Sequence, residues 1–126
     1  MLVELKPALR YPSASMGLAT LDIARLPGSN GNLVAKLTGK LSMETVGGFL
    51  RELRTVEAEK LVLDMSDLSF VDSAGVGALV QIFVHRRGKS QKFALARLTP
   101  QGMAVMQVAG LHKLLPQFPT VEEACQ

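Results

Sequence analysis

The fold turns on one stretch, Leu61-Val62-Leu63-Asp64-Met65-Ser66-Asp67-Leu68-Ser69-Phe70-Val71-Asp72-Ser73-Ala74-Gly75-Val76-Gly77-Ala78-Leu79-Val80. Lys60–Met65 is a short apolar run that follows a helical pattern, the mark of a strand buried on both faces. Ser66–Asp72 is polar and reads as a loop. From Ser73 the period becomes helical, with Val76, Leu79, Val80, Phe83 and Val84 as the expected core stripe. His85-Arg86-Arg87 falls at the negative pole of this helix, and Gly88 terminates it. In open α/β sheets, functional loops gather beyond the C-terminal ends of strands. Ser73 is placed there, where the loop becomes the helix.

The flanking sequence extends this unit in both directions. Leu18–Leu26 alternates as a half-buried strand, Pro27-Gly28-Ser29-Asn30-Gly31-Asn32 is a dense turn signal, and Leu33–Leu41 resumes the strand pattern, which together predict a hairpin. Ser42 is expected to cap a helix whose apolar face is Val46, Phe49, Leu50, Leu53 and Val56. Beyond the central unit, Lys92–Leu98 reads as a strand. Thr99-Pro100 reads as an N-cap with Pro at the first helical position. Leu114–Phe118 reads as a short last strand, and Thr120-Val121-Glu122-Glu123 as the start of a final helical turn. The predicted class is α/β: a mixed, mostly parallel sheet of four to five strands with an N-terminal hairpin and three to four helices. Residues 1–15, broken by Pro7 and Pro12, are expected to be an N-terminal extension, and residues 16–126 a single domain.

Composition narrows the function. The chain has 126 residues, of which 48% are hydrophobic and 20% charged, a globular balance. Its net charge of +3 is not clustered, and aromatics are only 5%. A nucleic-acid footprint needs a basic face and stacking platforms, so direct nucleic-acid binding is not expected. The single cysteine, Cys125, neither forms an internal disulfide nor builds a metal site alone, and no cofactor is implied. With neither a secretory leader pattern nor a run of about 18 apolar residues, no membrane span is expected, and the default location is the cytoplasm.

The residue pattern also disfavours catalysis. His85 lies roughly 18 Å along the helix from Ser73, too far for a nucleophile and its base. Val71-Asp72-Ser73-Ala74-Gly75 lacks the first glycine of a nucleophile elbow, and there is no phosphate-binding GxxxxGK[ST] loop. On a helical wheel, Gly75, Ala78 and Ile82 fall opposite the expected stripe. Two small residues beside an apolar one make a low ridge for a partner protein, although Ile82 reads equally well as an isolated surface apolar residue.

Phe70-Val71-Asp72-Ser73-Ala74-Gly75-Val76-Gly77, following Leu61-Val62-Leu63-Asp64, resembles the signature of STAS domains, and within them the bacterial anti-sigma-factor antagonists. Leu37-Thr38-Gly39-Lys40-Leu41-Ser42 and Val108-Ala109-Gly110-Leu111 resemble flanking parts of the same family, so the likeness runs from about Met16 to Ala124. The resemblance implies a STAS-like fold and a partner switch. An anti-sigma factor that is also a Ser/Thr kinase would phosphorylate Ser73, the modified form would no longer bind it, and a Ser/Thr phosphatase would reset the site. Asp64, Ser66 and Asp72 would form the phosphosite loop, and Ala74, Gly75, Ala78 and Ile82 the partner surface. A second copy of the chain is a further candidate partner. Ala74 departs from the many members that carry a second hydroxyl there. The alternative within this fold is a non-switching scaffold or accessory subunit, such as a stressosome component or the partner of a lipid-transport ATPase, in which Ser73 is only a cap. A third reading, a small-molecule module, needs a pocket between the loop and Thr99-Pro100.

Overall fold

The computed structural model describes residues 20–126; the extension expected over residues 1–15 lies outside the described residues. Strands β1 (Leu21–Pro27) and β2 (Leu33–Leu41) form the antiparallel hairpin. Its turn uses left-handed conformations at Asn30 (φ 60°) and Gly31 (φ 75°), which the Asn-Gly pair supplies at little cost. Helix α1 (Val46–Leu53), strand β3 (Lys60–Val71), helix α2 (Ser73–Gly88), strand β4 (Lys92–Ala96), helix α3 (Pro100–Val108), strand β5 (Gln117–Phe118) and helix α4 (Val121–Ala124) follow. The five strands lie in the order β1-β2-β3-β4-β5, parallel from β2 onward. The predicted mixed sheet with an N-terminal hairpin is thus the observed one.

The sheet is covered unequally. Leu37, Leu61, Leu63 and Met65 face Phe49 and Leu53 of α1, Val76, Leu79 and Ile82 of α2, and Met106 of α3 in one large core. On the other face Val34, Val62, Ala94 and Ala96 meet Ala124 and Cys125 at the end of the chain. Two helix starts are as expected. Thr99 Oγ1 accepts from Gly102 N at 3.0 Å, and Thr120 Oγ1 from Glu123 N at 3.0 Å. Helix α1 starts later than expected, at Val46 rather than just after Ser42. A turn intervenes, held by Thr45, whose hydroxyl donates to Lys40 O (2.8 Å) and accepts from Ser42 N (3.0 Å).

The larger difference is in β3. Ser66–Asp72 is not a loop; the strand continues to Val71. It carries one extra residue against β2 between Asp64 and Asp67 and another between Leu68 and Phe70. Each bulge flips the side-chain alternation. This is how Met65, Leu68 and Val71, spaced by three, all reach the same core. The irregular spacing hides the strand from a period-two reading.

Candidate functional site

At the C-terminal end of β3 the chain turns into α2 at Asp72. Asp72, not Ser73, is the N-cap: its Oδ1 accepts from Gly75 N at 2.8 Å. Oδ2 reaches the neighbouring turn and accepts from Met43 N at 3.0 Å, while Asp72 N donates to Leu41 O at 3.2 Å. One carboxylate therefore ties the start of α2 to the end of β2. On the other side Gln101, in the first turn of α3, clasps Val71 through both amide atoms. Its Oε1 accepts from Val71 N (2.9 Å) and its Nε2 donates to Val71 O (2.7 Å). The entrance is braced from two directions.

Ser73 is left at the first position of α2, exposed to solvent. The amides of Ser73 and Ala74 precede the first intrahelical bonds, so an anion on the Ser73 hydroxyl would meet donors and the positive end of the helix. Ser73 also forms one wall of an apolar cleft of 290 Å³ whose other walls are Ala104, Val105, Val108 and Ala109 of α3 and its exit. Val108 is 92% exposed, and Met43, on the turn beside Asp72, is 74% exposed. Phe70, near the end of β3, is also exposed. The Ser73 hydroxyl therefore borders exposed apolar side chains of α3, the informative kind of exposure. Sequence reasoning missed Met43, Phe70, Val108 and Gln101. Val108 lay inside a quoted motif, but nothing local marked its side chain as outward.

The ridge expected on α2 is corrected. Ile82 is 0% and Ala78 1% exposed, and Gly75 is buried as well. A Cβ on Gly75 would stand 2.3 Å from Leu41 O, so the glycine lets α2 approach β2. These three residues pack the helix and offer no surface. Conversely Val84, expected in the core, is 59% exposed. The outward line is Ser73, Gln81 and Val84, with Ala74 and Gly77 half-buried along it.

Asp64 and Ser66 are also corrected. Asp64 stands seven residues before Val71 on a continuous strand, roughly 20 Å away by strand rise. Its buried carboxylate accepts from Arg97 Nη2 (2.7 Å), Arg97 Nε (3.1 Å) and Ser66 N (3.1 Å). Burial alone would raise its pKa, but the Arg97 and Ser66 hydrogen bonds outweigh it and hold the carboxyl below its ordinary value of 3.8. Asp67 in turn pairs with Lys36 at 3.2 Å. Of the acidic residues expected to surround Ser73, only Asp72 adjoins it.

Comparison with known proteins adds a family and a fold. The family model described as STAS domain matches residues 24–124. Among solved structures, an anti-sigma factor antagonist from Mycobacterium paratuberculosis superposes with a TM-score of 0.74 at 23% identity, covering 83% of this chain and 91% of that one. The Bacillus cell fate determinant SpoIIAA in its phosphorylated form gives 0.63 at 22% identity, covering 82% and 96%. The murine solute carrier 26 family member A9 anion transporter gives 0.67 at 21% identity, covering 75% of this chain but 17% of the transporter.

Proposed function

The chain belongs to the STAS domain family, and from that premise we propose that it is an anti-sigma-factor antagonist switched by phosphorylation of Ser73. The observation that carries the reading is the placement of that hydroxyl: exposed, at the first turn of α2, and bordered by the apolar side chains of α3. An anti-sigma factor with Ser/Thr kinase activity would dock over Val108 and Met43 with its phosphate donor at Ser73. Ala74, Gly77, Gln81 and Val84 would extend the contact along α2.

Each step has a physical reason. In the unmodified protein, docking removes the exposed apolar side chains from water at roughly 25 cal/mol per Å² buried. Phosphorylation adds roughly −1.5 to −2 charges in the middle of that surface. The dianion is tolerated by the free domain because it lies at a helix N-terminus. Beside Asp72 and against an apolar partner it must be desolvated, and the complex loses affinity. Hydrolysis by a Ser/Thr phosphatase would restore the docking form. Function by reversible binding of this kind belongs in the cytoplasm, where such kinases have ATP.

The experiment is co-purification of the chain with its anti-sigma kinase in three forms. Ser73→Ala is expected to retain the kinase whether or not ATP is supplied. Wild type is expected to lose it once ATP has been consumed, with a phosphoryl increment on the peptide carrying Ser73. Ser73→Asp is expected not to bind. Equal retention of all three forms would refute the switch. It would favour the scaffold or accessory-subunit reading, which the likeness to a domain carried within a transporter supports.

A further inference from the structure

At the opposite end of the sheet, β4 extends beyond its outer neighbour. Strand β5 pairs only Leu95 with Gln117 and Ala96 with Phe118. Among the described residues, Lys92, Phe93 and Ala94 therefore border an open edge. Lys92 N donates toward β3, to Glu59 O at 2.8 Å, whereas Leu95 N donates the other way, to Pro116 O at 2.9 Å. Alternation along the strand sends the N–H of Phe93 to the same side as that of Leu95, into the gap before β5 begins.

A cleft of 350 Å³ fills this gap, walled chiefly by Lys60, Phe83, Arg87, Lys92, Phe93 and Phe118. Its rings and cations are interleaved. Phe83 and Phe93 lie with centroids 6.3 Å apart. The Arg87 guanidinium stands 5.6 Å from the Phe83 centroid, and the Lys60 ammonium 5.9 Å from that of Phe118. Lys60 and Lys92 are register partners on adjacent strands, and the Lys60 ammonium donates to Gln126 O at 3.0 Å. Among the described residues no Asp or Glu lines the cleft. Among the described residues no ion pair involves Arg87 or Lys92.

We propose that this cleft binds a small aromatic monoanion, a carboxylate or sulfonate on one or two fused rings. The ring enters among Phe83, Phe93 and Phe118. The anion accepts from Phe93 N–H at the strand edge and lies between the Arg87 and Lys92 cations. The volume is at the small end of ligand pockets and suits such a molecule. This site is separate from Ser73 and does not depend on the switch.

The test is an amide NMR titration of the full chain with 2-naphthoate, and with 2-naphthalenemethanol as the uncharged counterpart. The expected result is saturable naphthoate binding with the largest shifts at Lys92, Phe93 and Ala94, and about tenfold weaker binding of the alcohol. Arg87→Glu and Lys92→Glu change exposed side chains. Each is expected to weaken naphthoate several-fold while leaving alcohol binding in place and the unliganded melting temperature within a few degrees of wild type. No saturable shift at millimolar naphthoate, equal affinity for acid and alcohol, or shifts centred on the Ser73–Val108 cleft would each overturn the proposal. So would naphthoate binding that survives both charge reversals.

Discussion

Two glycines, Gly75 and Gly77, sit one turn into α2 and are there for different reasons. At Gly75 a methyl group would collide with the Leu41 carbonyl. Gly75→Ala is expected to cost about 2–3 kcal/mol by overpacking, read as a lower denaturant midpoint. At Gly77 a Cβ would meet nothing within 4 Å. Gly77→Ala is expected to stabilise the free domain by about 0.5–1 kcal/mol, since it removes unfolded-chain entropy at no steric cost. If the outward line of α2 is the docking surface, the same substitution weakens kinase binding, and a stabler protein that binds worse is the outcome to look for. Ile82 supplies the contrast. Ile82→Ala is expected to destabilise by about 3 kcal/mol in chemical denaturation, with kinase affinity per folded molecule unchanged. Ser73 was legible in the sequence because Asp-Ser before a helical period marks a helix entrance. Ile82 was not, because a wheel assumes one buried stripe.

That assumption fails at the level of the element. Helix α2 lies between α1 and α3, so it buries a wide arc against the sheet and both flanks, and before its last turn the exposed positions are Ser73, Gln81 and Val84. Its far end is held by Arg86, 1% exposed, whose guanidinium donates to the carbonyls of Lys92 (2.8 Å), Val56 (3.1 Å) and Ala58. The sequence offered Arg86 only as a charge at a helix terminus; its burial comes from three chain segments meeting there. Arg86→Met is expected to strand those carbonyls and cost about 3 kcal/mol, seen as a lower melting temperature. Across the sheet, Arg97 adopts φ 58° at the end of β4 and reaches Asp64 on β3. Because the Asp64 carboxyl is held below 3.8 in the folded state, its stabilisation is present above that pH and lost as acid brings the pH down through the folded value. Arg97→Ala leaves the burial penalty with less to oppose it. The stability gap between wild type and Arg97→Ala is therefore expected to be widest near neutral pH and to narrow below about pH 4 in a pH series of urea melts.

The whole molecule separates its two candidate surfaces along the strand axis. Ser73 and the exposed Val108 line an apolar cleft at one end, with Met43 on the turn bonded to Asp72 beside it, and the cationic, phenyl-lined cleft opens at the other. Val108→Asp and Met43→Asp are expected to leave the melting temperature within a few degrees of wild type, as exposed substitutions do, and to abolish co-purification with the kinase. Architecture was legible in the sequence because alternating strands and helices after a hairpin admit few topologies. The docking surface was not, since it is assembled from a turn, a helix start and a helix exit about 30–65 residues apart, an order of separation beyond any local period. Strand order that follows chain order has a further result. During synthesis, each new strand finds its neighbour already made, and no late segment must wedge between two earlier ones. Strand order alone thus permits the sheet to be extended outward from the hairpin, one strand at a time.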